Sequence, residues 1–173
     1  MYMKYILTTD THFDHEMLKT KRGKDFSEKI MKNFHNISGD VLIHLGDIAF
    51  KNEREWNNRF VKEMKKKFKK VILVRGNHDS KSYNWYYNRG WDNVCETMRI
   101  RHNKKEILFS HMPILAENSI GTPYHKVHMN IHGHLHGSGH YSHRAIEGYD
   151  AGYHYDIAPE NHNLKPVDLD TII

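Results

Sequence analysis

The chain has 173 residues, of which 38% are hydrophobic and 27% charged, and this balance fits one globular domain and excludes a disordered chain. Its net charge of +5 suits anionic partners. Much of the excess positive charge lies in the segment 62–70, so the net charge is weak evidence for such a partner. One cysteine excludes an intramolecular disulfide framework, and no signal-peptide pattern or apolar stretch of about 20 residues is present. We therefore expect a single domain over residues 1–173, located in the cytoplasm and without a membrane partner.

The first half of the chain alternates predicted strands with predicted helices. Apolar runs predict strands at Tyr5–Thr9, Val41–Leu45 and Val71–Val74. Between them, apolar residues at steps of three and four predict helices from about Phe26 to Ile37 and from Glu53 to Lys69. This alternation predicts right-handed crossovers and a largely parallel sheet.

The second half predicts a different arrangement. A short helix at Ser82–Asn88 is followed by two antiparallel strands, Val94–Arg101 and Glu106–Phe109, joined by a polar turn. A further strand is predicted at Val127–Ile131, and short strand-like pieces follow Tyr149. Because no internal repeat or low-complexity linker interrupts the chain, these elements predict one α/β domain.

The predicted strands in both halves of the chain are followed by side chains that can bind metals. Because ligands of open α/β sheets bind at the carboxyl ends of strands, we expect these side chains to lie at one edge. Imidazole together with carboxylate and amide oxygens suits Mn, Fe, Zn, Ni or Co better than Mg or Ca. The motifs, in chain order, are Asp10-Thr11-His12, Gly46-Asp47, Gly76-Asn77-His78-Asp79, Ser110-His111 and Gly133-His134-Leu135-His136.

These five motifs, in this order, resemble the calcineurin-like metallophosphoesterase superfamily, in particular its small cap-less members from bacteria, archaea and their phages. The resemblance implies a four-layer αββα sandwich with two facing mixed β-sheets and a metal site at the C-terminal ends of the strands. It also implies two divalent metal ions, with Mn²⁺ the first candidate and Fe, Ni, Zn or Co the others. One ion would be held by Asp10, His12, Asp47 and His136, and the other by Asp47, Asn77, His111 and His134, with Asp47 bridging.

The resemblance implies hydrolysis of a phosphoester bond in a small phosphodiester or phosphomonoester. Two divalent ions ~3.5–4 Å apart can lower the pKa of a bridging water, and the resulting hydroxide would attack phosphorus in line with the leaving oxygen. His78 matches the family's catalytic histidine and would donate a hydrogen bond to the phosphoryl group or a proton to the leaving group. For Asp79 two roles are open: it orients His78, or its carboxylate binds a neighbouring backbone amide.

Other polar residues near the motifs have weaker claims on the site. His15 follows the first motif, where contact with substrate or with a metal ligand competes with a surface role. Arg75 precedes the third motif, and it either meets a phosphate or forms a salt bridge within the fold. His44 lies inside a predicted strand and is expected to be buried and hydrogen-bonded. Two loops, 117–126 and 137–147, are predicted to border the metals and to select the substrate.

Three functions are compatible with the sequence. The first is the phosphoester hydrolase, the second a small nuclease acting on single-stranded nucleic acid, and the third a non-catalytic metal-binding scaffold, as in a retromer subunit that resembles this superfamily. The lysines of segment 62–70 lie opposite the apolar stripe of their predicted helix, which favours a solvated face over a nucleic-acid surface. Because His78 and every ligand position are present, the sequence favours catalysis on a small phosphorylated substrate.

Overall fold

The computed structural model of the protein describes residues 3–115, 127–136 and 153–173. Within these ranges the strands are β1 (Tyr5–Thr8), β2 (Gly39–His44), β3 (Phe68–Val74), β4 (Asn93–Cys95), β5 (Thr97–His102), β6 (Lys105–Ser110), β7 (Met129–His132), β8 (His154–Asp156) and β9 (Val167–Asp168). The α-helices are α1 (Leu18–Arg22), α2 (Phe26–Asn33), α3 (Glu53–Met64) and α4 (Tyr83–Tyr87).

The strands form two mixed sheets. The first has the order β4-β3-β2-β1-β9, in which β1 to β4 pair in parallel and β9 pairs antiparallel with β1. The second has the order β5-β6-β7-β8, in which β5 and β6 pair antiparallel and the remaining pairs are parallel. The parallel pairing of β1, β2 and β3 confirms the prediction made from the first half of the chain.

Two buried clusters explain how the layers stack. Successive side chains of a strand point to opposite faces, so the continuous apolar runs of β1 to β3 bury residues on both sides of their sheet. One cluster lies between the first sheet and helices α1 to α4, and it includes Ile6, Leu42, Leu73, Phe26 and Phe60. The other lies between the two sheets, and it includes Leu7, Ile43 and Val74 from the first sheet and Ile107, Phe109 and Ile131 from the second.

The predicted fold class, an α/β sandwich with two facing mixed sheets, is therefore confirmed. No α-helix within the described ranges packs on the outer face of the second sheet, so a helical layer there stays a prediction. Among the residues that the structure describes, no helix has the length and apolar character needed to cross a membrane. The two loops predicted to select the substrate lie outside the described residues.

Two predicted helix boundaries are wrong. Helix α2 ends at Asn33 instead of Ile37, because the following amides bond three residues back, as in a turn. Helix α3 ends at Met64, and strand β3 already begins at Phe68, whose backbone pairs with β2. Tertiary strand pairing thus outweighs the helical periodicity, and the lysines of segment 62–70 lie on a helix end, a turn and a strand rather than on one helical face.

The predicted strand Val94–Arg101 is in fact two strands in different sheets. Strand β4 pairs in parallel with β3 in the first sheet, whereas β5 pairs antiparallel with β6 in the second. Glu96 lies between them, at the point where the chain crosses from one sheet to the other. This crossing places Glu96 beside the segment that follows β3, close to the predicted metal ligands.

Candidate active site

Five of the seven predicted metal ligands have a left-handed backbone conformation. Such a conformation is uncommon in residues other than glycine, costs of order 1–3 kcal/mol per residue and is concentrated at functional sites. Hydrogen bonds between the loops after β1 and β2 hold part of it, including Asp10 N to Gly46 O at 2.9 Å and His12 N to Asp47 O at 3.0 Å. The φ angles are 46° at Asp10, 42° at His12, 58° at Asp47, 70° at His134 and 54° at His136.

The first candidate metal group consists of Asp10, His12 and His136. Asp10 Oδ1 lies 3.7 Å from His12 Nε2 and 3.7 Å from His136 Nε2, too far for direct hydrogen bonds. Asp10 Oδ1 and both ring nitrogens of His12 are buried and have no hydrogen-bond partner among the described residues. Buried polar atoms that converge without bonding one another fit a cation between them.

The other oxygen of Asp10 is held by the protein itself. Asp10 Oδ2 accepts hydrogen bonds from Thr9 Oγ1 at 2.7 Å and from the backbone N–H of His134 at 2.9 Å. A Cβ atom added to Gly133 would collide with this same oxygen and with Thr9 Oγ1, so only glycine allows the chain to pass so closely. These contacts orient the carboxylate so that Oδ1 faces the first group.

The second candidate metal group consists of Asp47, His111 and His134, with Asn77 beside it. His111 Nδ1 donates to the carbonyl of Leu45 at 2.8 Å, which turns the lone pair of Nε2 toward the other members. The atoms around His111 Nε2 are Asn77 Oδ1 at 3.0 Å, His134 Nδ1 at 3.2 Å and Asp47 Oδ2 at 3.3 Å.

Asp47 lies between the two groups. Its Oδ2 atom is 3.3 Å from His111 Nε2 and 3.5 Å from His12 Nε2, while its Oδ1 atom accepts the backbone N–H of His78 at 2.9 Å. Burial lowers the pKa of His111, but Asp47 and Asp10 outweigh it and raise that pKa to about 9. A proton on this ring compensates the buried carboxylates in the metal-free protein, as a divalent cation would when bound.

His78 and Asp79, adjacent in sequence, occupy different environments. The exposed ring of His78 lies with its centroid 5.6 Å from that of His12, at the open side of the site. The buried carboxylate of Asp79 accepts backbone N–H groups of Asp47 and Gly76, each at 2.8 Å, and of Ile48 at 3.2 Å. Of the two roles left open for Asp79, the described contacts therefore support the bond to backbone amides, which ties the second motif to the third.

The two weaker candidates lie on either flank. Arg75 donates from Nε and Nη2 to the carbonyl of Asp79, at 3.0 and 2.7 Å, and from Nη1 to Glu96 at 3.0 Å. These contacts correspond to the salt-bridge alternative. His15 contacts His12, with ring centroids 5.5 Å apart, and packs on Phe50 at 4.1 Å, so it adjoins the first metal group.

His44 has the buried, hydrogen-bonded position that its place in a strand predicted. Its Nδ1 atom accepts the backbone N–H of Gly46 at 3.1 Å, so its proton is on Nε2, which lies 2.9 Å from Thr11 Oγ1. The Thr11 hydroxyl in turn donates to the carbonyl of Ile48 at 2.8 Å. Burial lowers the pKa of His44 to about 3, so the ring is neutral and supports the loops that carry the ligands.

Sequence reasoning missed two residues that support the first group, Arg22 and Glu160. The buried Arg22 guanidinium donates to the carbonyl of Asp10 at 2.7 Å and to Glu160 Oε1 at 2.7 Å. His136 Nδ1 lies 3.2 Å from Arg22 Nη2 and 3.5 Å from Glu160 Oε1. No local pattern marks this pair, because 138 residues separate its members.

The chemistry of His136 decides which of the two is its partner when a metal is bound. If Nε2 binds a metal, the ring proton is on Nδ1, and Nδ1 then needs a hydrogen-bond acceptor. Arginine only donates, so Glu160 is the group that can accept this proton. Arg22 holds that carboxylate in place through the Nε and Nη2 contacts.

Two facing mixed sheets with paired metal-ligand groups at the strand ends define a metal-binding α/β fold of the phosphoesterase type. The sequence matches the family model of the calcineurin-like phosphoesterases over residues 3–150, and the chain belongs to that family. Members of this family typically bind two divalent metals, which agrees with the two candidate groups. No curated protein matches the sequence.

The chain is similar to solved structures of three different descriptions. A protein of unknown function from Aquifex aeolicus is 24% identical, with a TM-score of 0.70 over 98% of this chain and 99% of that one. A novel archaeal phosphodiesterase is 18% identical, with a TM-score of 0.48 over 89% of this chain and 82% of that one. Vps29 from Chaetomium thermophilum is 12% identical, with a TM-score of 0.49 over 80% of this chain and 62% of that one.

Proposed function

We propose that the protein is a dinuclear-metal-dependent hydrolase of phosphoester bonds, acting in the cytoplasm on a small phosphodiester or phosphomonoester. The observation that carries the proposal is the position of Asp47, whose Oδ2 atom lies within 3.5 Å of one histidine from each metal-ligand group. A carboxylate in that position can be shared by two cations, and paired divalent cations suit phosphoryl chemistry. The mixed oxygen and nitrogen donors suit Mn, Fe, Ni, Zn and Co. Mn²⁺, the first candidate that the family resemblance implies, is the first metal to test.

The residues of the chain have separate tasks in this reaction. Asp10, His12 and His136 would hold one ion, Asn77, His111 and His134 the other, and Asp47 both. When bound, the two ions supply a water activated at neutral pH and positive charge for the phosphoryl oxygens. The site is open on the side of His78, where a phosphoryl group can approach.

His78 is proposed as the catalytic residue that meets the substrate directly. Its backbone N–H is bonded to Asp47 Oδ1, which fixes the start of its side chain relative to the bridging carboxylate. Its exposed ring lies beside His12 and can donate a hydrogen bond to the phosphoryl group or a proton to the departing oxygen. Asp79 supports this arrangement indirectly, through the backbone amides that its carboxylate binds.

The test compares metal content and turnover in three variants of the Mn²⁺-loaded protein. Asp47→Asn should lose metal from both groups, whereas His78→Asn should retain both metals and lose about 10²–10⁴-fold in kcat on bis-p-nitrophenyl phosphate or p-nitrophenyl phosphate. Glu28→Gln, which removes a surface ion pair with Arg59, is the matched control and should behave as wild type. Full activity of Asp47→Asn or His78→Asn would show that the site is misassigned.

The same assay separates the two alternative functions. Cleavage of single-stranded DNA at a rate above that of the small esters would favour the nuclease. Binding of two metals without turnover of any substrate, across Mn²⁺, Fe²⁺, Ni²⁺, Zn²⁺ and Co²⁺, would favour the scaffold.

A further inference from the structure

A cleft of about 310 Å³ opens directly beside the second metal group. Asn77 and His111, which belong to or adjoin that group, form one wall, so a phosphoryl group held there would have the cleft on its flank. Met112 and Ile114 form an apolar wall of the cleft, and the lining of the cleft as a whole is mainly apolar. This volume is at the lower end of the ~300–1,000 Å³ typical of ligand pockets and suits one ring-sized substituent rather than a polymer.

The apolar wall is held in place by a buried polar network. Ser110 Oγ donates to the carbonyl of Met112 at 2.6 Å and accepts from Asn130 Nδ2 at 2.9 Å. The fully buried Asn130 also accepts the backbone N–H of Ile114 at 2.8 Å through its Oδ1 atom. The wall therefore exists before any ligand arrives, while the Met112 side chain stays half exposed at its edge.

Among the described lining residues, the Arg75 and Glu96 side chains pair with each other and compensate each other's charge. Arg75 Nη1 and Glu96 Oε1 are 3.0 Å apart, and the hydroxyl of Tyr83 donates to the same Glu96 oxygen at 2.7 Å. The Arg75 guanidinium also lies over the Tyr83 ring, 5.1 Å from its centroid. A second phosphate or another charged substituent would find both of these described side chains already paired, whereas an uncharged organic group would lose little by entering.

A second apolar surface lies beside the first metal group. Phe50 is half exposed, its ring centroid lies 5.8 Å from that of His78, and its ring packs on His15. One apolar surface thus adjoins the proposed proton donor, and another adjoins the metal group that His111 belongs to. A phosphodiester carries two organic substituents, whereas a phosphomonoester carries one.

We infer that the substrate is a small phosphodiester with two uncharged organic groups, the departing one beside Phe50 and His78 and the retained one in the cleft against Met112 and Ile114. The inference rests on the proposed function, because it assumes that the phosphoryl group binds at the paired metal groups. In the reaction, water adds to phosphorus and the bond to the departing oxygen breaks. That oxygen takes a proton from His78 and leaves as an alcohol, while the attacking water releases one proton to solvent and keeps its oxygen on phosphorus. The product is a phosphomonoester that keeps the retained group, and His78 regains its proton from solvent.

The test is a comparison of Met112→Gln with wild type on a diester and a monoester. For bis-p-nitrophenyl phosphate the variant should raise KM about tenfold with kcat within about twofold, because it loses an apolar contact made equally in ground and transition states. For p-nitrophenyl phosphate, whose single ring lies on the Phe50 side, KM should not change. Met3→Gln, the same replacement at an exposed methionine near the start of β1, should leave both substrates unaffected.

A binding measurement decides the inference without turnover. Calorimetric titration of the Mn²⁺-loaded His78→Asn variant, which should retain both metals and turn over slowly, should give diphenyl phosphate an affinity at least about tenfold above that of dimethyl phosphate. Adding Met112→Gln should lower the affinity for diphenyl phosphate about tenfold and leave that for dimethyl phosphate unchanged. Equal affinities, or a KM that rises equally for diester and monoester, would overturn the assignment of the cleft. If no ester is hydrolysed, the proposed function fails, while the two affinities still show whether the cleft binds an organic group.

Discussion

Replacing Glu160 by glutamine tests whether a carboxylate outside the metal groups controls the first of them. The substitution keeps the shape and an acceptor for Arg22, but it removes the charge and replaces one of the two carboxylate oxygens by an N–H₂ group, which cannot accept a hydrogen bond. We expect Glu160→Gln to weaken the metal site formed by Asp10, His12 and His136. The second group, which Glu160 does not contact, should keep its affinity.

The magnitude follows from what such outer carboxylates contribute elsewhere. Loss of the hydrogen-bond partner of a metal-binding histidine typically lowers metal affinity about 10–100-fold, or roughly 1.4–2.8 kcal/mol. The 3.5 Å separation between His136 Nδ1 and Glu160 Oε1 is long, so we expect the lower part of this range unless metal binding shortens the contact. Arg22, whose side chain is almost fully buried, would also lose part of its ion pair.

The assay is a titration of metal-free protein with Mn²⁺ against a competing chelator, fitted to two sites, with electron paramagnetic resonance to detect a coupled Mn²⁺ pair. Glu160→Gln should show one weakened site and a single uncoupled ion at limiting metal, while Glu28→Gln should match wild type. Two unchanged affinities in Glu160→Gln would refute the reasoning. A lower melting temperature with unchanged metal binding would show that the carboxylate supports only the fold.

Three further outcomes are expected. Gly76→Ala should lower the free energy of unfolding by about 1–3 kcal/mol and reduce the metal content, because the added Cβ would collide with the carboxylate of Asp47. Calorimetry measures the first effect and metal analysis the second. Since burial lowers the pKa of His44 from 6.5 to about 3, the unfolded chain binds a proton that the native chain lacks between these pH values. As the pH falls through this range, His44 should therefore lower the free energy of unfolding of the metal-free wild type by up to about 1.4 kcal/mol per pH unit. Urea unfolding at several pH values should show a smaller decrease for His44→Gln. Burial raises the pKa of Cys95 from 9.0 to about 11, so at pH 8 its thiol should react with a disulfide reagent about a hundredfold more slowly in native than in unfolded protein.

Different results would contradict each of these expectations. Wild-type stability and full metal content in Gly76→Ala would mean that the chain can separate from the carboxylate at no cost. The same slope of unfolding free energy against pH in wild type and His44→Gln would assign the acid sensitivity to another group. Similar reaction rates for native and unfolded protein would show that Cys95 is not shielded.

The alternation of strand and helix in the first half was predictable because it depends on local patterns. Apolar runs that are buried on both faces identify β1, β2 and β3, and the parallel sheet follows from the helices between them. The motif residues at the strand ends were predictable for a related reason. Parallel strands bring their carboxyl ends to one edge, and the structure does bring both metal-ligand groups together there.

The boundaries of α3 and of the strand around Glu96 were not predictable in this way. The helical stripe continues past Met64 in the sequence, yet the backbone of Phe68 pairs with β2 instead. Similarly, β4 and β5 read as one run of residues, but each completes a different sheet. In both places strand partners distant in sequence supply the hydrogen bonds, and a local pattern contains no information about them.

The sequence by itself determined the fold class and which side chains are available as metal ligands, because strand periodicity and motif order are properties of short segments. Only the tertiary structure decided how those ligands are held. Asp79 binds the backbone of the loop after β2, and Arg22, 138 residues from Glu160, holds that carboxylate beside His136. The cleft beside His111 likewise exists only in the tertiary structure. These features arise where segments far apart in sequence pack together, and hydrogen bonding and burial, rather than local propensity, set their geometry.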